Sequence, residues 1–309
     1  MSIIDDVFGK LSTWFADVLD STVGNWIGGM FGDFANVLLS LGTDIYNSLI
    51  GLSLDLLRQS PTSWNGGSGW QVITTANTAF VAVGASLVII FWLIGVISMS
   101  IDERMNVRVE VMIKEMIKLV IAEAVVTSSI YIIQTFFGLV DKLTSGVIPS
   151  ANAIKLNVPA NVTNYLSGNV GLTDGLLCGF IGVLFVVGSV AAGASILYFA
   201  YIRFFKVLLI IPYGAIASST MVGGPAFSHS AANYYKYAVS TVLEAATMLL
   251  ALKLSSAIIS SNAINIITNE SVTNGTTVSQ WMIRALIMLF VTLGAVKESS
   301  QITQHGLGM

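Results

Sequence analysis

Charged side chains are scarce in this sequence. Only 10 % of its 309 residues are Asp, Glu, Lys or Arg, and 54 % are hydrophobic, whereas soluble domains carry about 25 % charged residues. The mean hydropathy is +0.80. So little charge cannot cover so much apolar surface, and we expect most of the chain to lie in lipid.

Residues for catalysis and metal binding are equally few. Cys178 is the only cysteine, so one chain can form neither a disulfide nor a thiolate metal cluster. The two histidines, His229 and His305, lie far from clustered carboxylates, and no G-x-x-x-x-G-K-[ST] loop for nucleotide phosphates occurs. We therefore predict no enzyme activity, no metal and no cofactor. Energy for any transport has to come from a partner or an ion gradient.

Five apolar runs approach or exceed the length of about 20 residues that crosses a hydrocarbon core. They cover residues 72–98, 119–140, 176–201, 237–260 and 281–296. The prediction is an all-α polytopic protein with about five transmembrane helices, in a membrane domain over residues 72–309. The third run is rich in small residues, which predicts close helix contacts at Gly179, Gly182, Gly188 and Gly193.

Residues 1–60 form an acidic region with a different pattern. Apolar residues recur there at helical spacing with aspartates between them, which predicts amphipathic helices outside the membrane. Asp33, Asp44 and Asp55 are expected to interrupt any run of membrane length. Membrane-surface helices usually carry Lys and Arg on the polar face, so a contact with protein is favoured over a helix lying in the outer leaflet. Residues 61–71 are the predicted hinge.

Basic residues set the predicted orientation. The loops after the first and third runs and the segment after the fifth hold eight of the fourteen, which by the positive-inside rule face the cytoplasm. The eight are Arg104, Arg108, Lys114, Lys118, Arg203, Lys206, Lys236 and Lys297. The N-terminus is then outside and the C-terminus cytoplasmic. Three Asn-x-Ser/Thr triplets, at Asn161, Asn269 and Asn274, fall in predicted outer loops and are either glycan acceptors or chance triplets.

Four charges fall inside predicted spans, namely Glu123, Glu244, Lys253 and Arg284. Each costs roughly 2.5 to 3.5 kcal/mol at the centre of an isolated helix, so each should face protein or water unless it reaches the headgroups. Glu123 and Arg284 lie near enough to span ends to do so. The alternative for Lys253 and Arg284 is a pair of like charges at outer depth, beside a hydrated cavity or an anionic partner.

The segment after the third run, YFAYIRFFKVLLIIPYGAIASSTMVGG, contains Pro212 in an apolar stretch too short to span again. Proline breaks or kinks a helix, and unsatisfied backbone at membrane depth needs protein or water beside it. We predict a re-entrant or broken helix near Pro212, followed by a turn at Gly223 and Gly224.

From about Ala76 to Met309 the sequence resembles the TrbL-like family, polytopic inner-membrane components of type IV secretion and conjugation systems, and related proteins of archaeal DNA import. The resemblance lies in a span followed by the basic-acidic segment 102–118, in residues 203–221, in the Gly-Gly plus Tyr234, Tyr235 and Lys236 segment, and in a basic residue after a short last span. It implies a scaffold or channel subunit that forms homo-oligomers in membrane lipid beside separate ATPases and pilin-like subunits.

Other functions stay open at this stage. A secondary transporter of a small solute would show internal repeats with matched broken helices, and a holin-like pore former would not need a long acidic region before its first span. Contact of DNA with Arg104, Arg108, Lys114 and Lys118 is one reading of the basic loop. Positive-inside topology explains the same residues without DNA, so we expect any DNA contact to be indirect.

Overall fold

The structure is a computed structural model that describes residues 22–101, 109–147, 154–168, 170–260 and 275–309. Helices fill almost all of these residues, and no strand occurs among them. Several helices are long and apolar enough to cross a bilayer. The prediction of an all-α polytopic membrane protein is therefore confirmed.

The described part of the chain contains eight α-helices and two short 3-10 turns. The helices are α1 (Thr22–Arg58), α2 (Ser68–Ile101), α3 (Val109–Thr127), α4 (Ser129–Val147), α5 (Ala160–Leu166), α6 (Leu172–Ser219), α7 (Pro225–Ser260) and α8 (Gly275–Gly306). The 3-10 turns are Trp64–Gly67, before α2, and Thr220–Val222, after α6.

Five segments have the length and hydropathy of membrane spans. They are Trp26–Arg58, Ser68–Ser98, Leu172–Val222, Phe227–Ile258 and Gly275–Gly306. A further candidate is α3 together with α4, which are bent by 60° at the break between them. The predicted run 119–140 is thus not one straight helix, and α1 is a candidate span that the sequence analysis did not count.

Helix α1 corrects one expectation about the acidic region. Its aspartates were expected to interrupt any apolar run of membrane length, yet α1 meets the same criterion as the other candidates. Asp33, Asp44 and Asp55 are 11 residues apart, so a window of 18 residues holds at most two of them. The apolar residues between the aspartates are numerous enough to outweigh two charges. The predicted helix before residue 21 lies outside the described residues.

The chain divides into two compact units. The first consists of Met1–Ser53, Ser150–Tyr198 and Ala251–Lys297, and the second of Leu54–Pro149, Phe199–Leu250 and Glu298–Met309. Each unit has its own buried apolar residues.

In the first unit, α1 runs in the same direction as α6 and packs closely on it. Gly42 of α1 faces Phe185 of α6, and further along both helices Leu49 faces Gly193. Gly182 similarly receives Leu38, at 3.4 Å from an added Cβ. Glycines let backbones approach, so the predicted contacts of the small-residue stretch are confirmed. On α8, Leu286 lies against Gly188 and Trp281 packs on Phe185 with ring centroids 6.4 Å apart.

In the second unit, α2 packs on the end of α6 and α3 packs back along α2. Gly84 of α2 lies against Ala215, where an added Cβ would be 2.8 Å from the carbonyl oxygen. The core around it is formed by Val88, Ala122, Val126, Ala215 and Val222. Aromatic contacts extend the packing at Phe80 with Tyr213 and at Phe91 with Phe227.

Candidate functional site

Two opposite charges lie buried in the second unit. Arg203 of α6 and Glu244 of α7 each keep only 4 % of their surface exposed. Glu244 lies in the electrostatic field of Lys206 and Arg203, and Arg203 Nη2 donates a hydrogen bond of 2.9 Å to the Val242 carbonyl oxygen. Arg203 Nε has no hydrogen-bond partner. Because buried charge is costly unless it is paired, we take this cluster as the candidate functional site.

The position of Arg203 corrects the sequence-based prediction. Arg203 and Lys206 were predicted to lie in a cytoplasmic loop after a span ending near residue 201, but both lie well inside α6. Apolar residues continue on both sides of the basic pair, and α6 runs through it as one helix from Leu172 to Ser219. Lys206 is exposed while Arg203 is buried. The buried face of α6 therefore carries the charge of Arg203, which sequence reasoning assigned to a loop.

The four predicted intramembrane charges have different surroundings. Glu244 is buried, as described above, and Glu123 is half-buried on α3. There Glu123 lines a mainly apolar groove of about 490 Å³ with residues that include Val88 and Leu119. Lys253 on α7 and Arg284 on α8 are exposed. Their pairing beside a cavity stays a prediction.

Pro212 does not break its helix. It is buried within α6, which continues to Ser219, so the prediction of a re-entrant or broken helix at this point is wrong. Pro212 has no backbone N–H for the Leu208 carbonyl, four residues earlier, and a side chain of α7 bonds another carbonyl of the same turn. Tyr234 Oη donates a hydrogen bond of 2.7 Å to the Ile210 carbonyl oxygen beside it. The chain turns only at Gly223 and Gly224, where Gly224 has a φ of 82°.

The break in a helix lies instead between α3 and α4. The two helices meet at Ser128 with a bend of 60°, and the Ser129 side chain that follows is buried with no hydrogen-bond partner for its Oγ. Gly214 of α6 faces this point, since a Cβ added there would lie 3.4 Å from Ser129 Cβ. Sequence reasoning missed the break because the sequence VVTSSIYI around it has neither proline nor glycine.

The remaining predicted site residues lie apart from this cluster or outside the described residues. Lys114 and Lys236 are exposed, and Lys118 forms an ion pair with Glu115 one turn away on α3. Asn161 is half-buried on α5. Arg104, Arg108, Asn269 and Asn274 lie outside the described residues. The basic-loop and glycosylation hypotheses stay predictions.

A second polar network joins three segments of the first unit. Tyr165 Oη of α5 donates a hydrogen bond of 2.7 Å to Asp174 Oδ2, and the Gly275 backbone N–H donates one of 2.9 Å to the same oxygen. Burial, followed by the hydrogen bond to Asp174, raises the pKa of the Tyr165 phenol above its ordinary value. Gly275 is the first residue of α8, so Asp174 caps a helix other than its own. Sequence reasoning missed this partner because it lies 101 residues away.

Comparison of the chain with protein-family models, with curated proteins and with solved structures finds no match. The resemblance to the TrbL-like family therefore stays a prediction. Any function has to rest on the geometry of the helices and on the buried charges.

Proposed function

We propose that this chain is a channel or scaffold subunit of a type IV secretion-like apparatus for conjugation or DNA transfer. It passes macromolecules through the cytoplasmic membrane without catalysis of its own. The proposed topology has the N-terminus outside and the C-terminus in the cytoplasm, with α2, the α3–α4 pair, α6, α7 and α8 crossing the membrane and α1 packed on protein without crossing. Separate secretion ATPases supply the energy, and pilin-like subunits and further copies of this chain complete the assembly.

The observation that carries the proposal is the uncovered apolar surface of α2. Only 17 % of the most apolar window of this helix is buried inside the chain, and it exposes a row of large side chains that includes Ile90, Leu93 and Ile97. Such a surface needs lipid or a second protein against it. A helix that contributes so little to its own subunit is well suited to contacts between subunits.

The number and length of the helices also favour an assembly of several copies. Five or six spans enclose no wide passage while satisfying their own backbone groups, so a pore for DNA or protein needs more than one chain. Helix α6 has 48 residues, more than twice the roughly 20 that a crossing requires. The excess provides surface for partners beyond the hydrocarbon region.

The mass of the purified protein in detergent tests the proposal. We expect native mass spectrometry to show discrete multiples of the 32.8 kDa chain. Cysteines introduced by Leu93→Cys should cross-link between copies in a Cys178→Ser background, whereas Val88→Cys, which is only 1 % exposed on the same helix, should not. Deletion of the gene from its host should lower the frequency of DNA transfer. A stable monomer whose deletion leaves DNA transfer unchanged contradicts the proposal.

A secondary transporter of a small solute is the second candidate. The broken helix between α3 and α4 and the buried charges Arg203 and Glu244 favour it, because discontinuous helices and intramembrane charges are typical of transport sites. This candidate predicts that a reconstituted monomer accumulates a solute when an ion gradient is imposed. The variant Glu244→Gln should abolish that accumulation while the Lys253→Gln control retains it.

A further inference from the structure

A polar pocket opens where α1 and α4 end in the second unit. Its outer part has a volume of about 320 Å³ and is lined by six polar side chains, Asp55, Arg58, Gln59, Asp141, Thr144 and Ser145. A smaller chamber of about 20 Å³ shares four of these residues and is also lined by Arg203. In a chain with only 10 % charged residues, the polar side chains of the outer part are suited to a charged ligand, whereas the chamber is lined by Arg203 together with apolar residues such as Phe137 and Val242.

Arg203 supplies the strongest recognition group of this pocket. Its side chain is 4 % exposed, and Nη2 donates to a backbone carbonyl oxygen, whereas Nε has no partner. Two positive charges, those of Lys206 and Arg203, act on the single negative charge of Glu244. Glu244 therefore neutralises only one of these two cations. A guanidinium that lines a buried chamber is well matched to an oxygen of a phosphate group.

The mouth of the pocket carries more negative than positive charge. Asp55 and Asp141 place two carboxylates there, against the single guanidinium of Arg58. Asp55 lies in the last turn of α1, whose C-terminal end adds partial negative charge. These groups favour a cation. The pocket therefore presents both signs, with a guanidinium in its chamber and carboxylates at its entrance.

We infer that the pocket binds a phosphate ester that also carries a primary ammonium group, the chemistry of phosphoethanolamine. One phosphate oxygen accepts from Arg203 in the chamber, whose volume suits a group about the size of one water molecule. The ammonium group donates to Asp55 and Asp141 at the mouth. A phosphatidylethanolamine headgroup and free phosphoethanolamine are two sources of this ligand, and the site is independent of the function proposed above.

Lipid binding to the delipidated full-length protein in detergent tests the inference. Phosphatidylethanolamine, phosphatidylglycerol and phosphatidylcholine with identical acyl chains are added separately, and soluble phosphoethanolamine forms a fourth arm. Native mass spectrometry counts the bound molecules and the shift in thermal midpoint reports stabilisation. We expect phosphatidylethanolamine to bind about tenfold more tightly than either other lipid, as the loss of a charge-assisted hydrogen bond implies. A shift with soluble phosphoethanolamine as well identifies the free compound as a second source.

Two variants assign the binding to this pocket. Asp141→Asn changes an exposed residue, so we expect it to fold normally and to lose the preference for phosphatidylethanolamine over phosphatidylcholine. Arg203→Gln should weaken the binding of all three lipids about tenfold. Asp44→Asn, an equally exposed aspartate of α1 outside the pocket, is the matched control and should behave as the unchanged protein. Equal binding of the three lipids, no binding of any ligand, or an Asp141→Asn protein with unaltered preference would each overturn the inference.

Discussion

At the scale of single residues, Asp174 links parts of the chain that are distant in sequence. Its Oδ2 atom accepts hydrogen bonds from the Tyr165 phenol and from the backbone N–H of Gly275. The first N–H groups of a helix have no partner within the helix, so this carboxylate stabilises the start of α8. Its negative charge is also favourable at the positive end of the α8 dipole.

Replacing this carboxylate should destabilise the first unit. We expect Asp174→Ala to lower the free energy of unfolding by about 1 to 2 kcal/mol, because it removes the cap of α8 and leaves the Gly275 N–H without its acceptor. Thermal unfolding in detergent, followed by circular dichroism, measures the change. Tyr165→Phe is the matched control, since it removes one donor and keeps the cap, and its effect should be smaller. Equal losses in the two variants would show that capping is not the main contribution.

Charge alone identifies only some of the buried polar residues. Glu244 was predicted to face protein or water, because a carboxylate within an apolar run is costly in lipid, and it is buried. Arg203 obeys the same physics, yet its neighbours Tyr201 and Lys206 resemble the basic-aromatic end of a span. A loop and the middle of a long helix can share this local pattern. The difference between them depends on packing against α7, which sequence does not reveal.

At the scale of helices, close approach of α1 to the start of α6 depends on glycine. A Cβ added to Gly28 would lie 2.6 Å from the Gly171 carbonyl carbon and 2.7 Å from the Leu172 nitrogen. These are backbone atoms, which cannot rotate away as a flexible side chain can. Among the described residues, and apart from the adjacent turns of α1, no atom lies within 4 Å of a Cβ added to the neighbouring Gly29, so its lack of a side chain serves no contact with them.

This pair of glycines permits a matched comparison. We expect Gly28→Ala to destabilise the protein by about 1 to 3 kcal/mol, because the methyl group forces α1 away from α6. Gly29→Ala should be neutral or stabilising by up to about 1 kcal/mol, since alanine favours helix. The thermal midpoints of the two purified variants measure both effects. Stabilisation by Gly28→Ala, or equal loss in both variants, would contradict the packing described here.

The helices themselves were largely predictable, and their interruptions were not. Long apolar runs must satisfy their backbone internally in lipid, which predicts α2, α6, α7 and α8 from composition alone. Pro212 was expected to break α6, but the helix continues through it to Ser219. The observed break at Ser128 has no local sequence signal. It coincides with the burial of Ser129 against Gly214 of α6, a contact between residues that are distant in the sequence.

At the scale of the whole molecule, the sidedness proposed for the loops rests on the basic residues and is open to direct measurement. The segment that contains α5 has few basic residues and lies between regions that are rich in them, so the positive-inside rule places it outside. The C-terminal residues follow Lys297 and are placed in the cytoplasm by the same rule. Exposed positions are available for both tests, at Asn164 on α5 and at His305 near the end of α8.

Labelling with a membrane-impermeant thiol reagent distinguishes the two sides. In a Cys178→Ser background, we expect Asn164→Cys to react in intact cells and His305→Cys to react only after lysis, because the reagent cannot cross the bilayer. Since Cys178 is buried, the unchanged protein should label weakly and serves as the background. Reversal of the two results would invert the proposed orientation, and reaction of both positions in intact cells would require an even number of crossings between them. The latter result would mean that one of α6, α7 and α8 does not cross the membrane, despite having the length and hydropathy to do so.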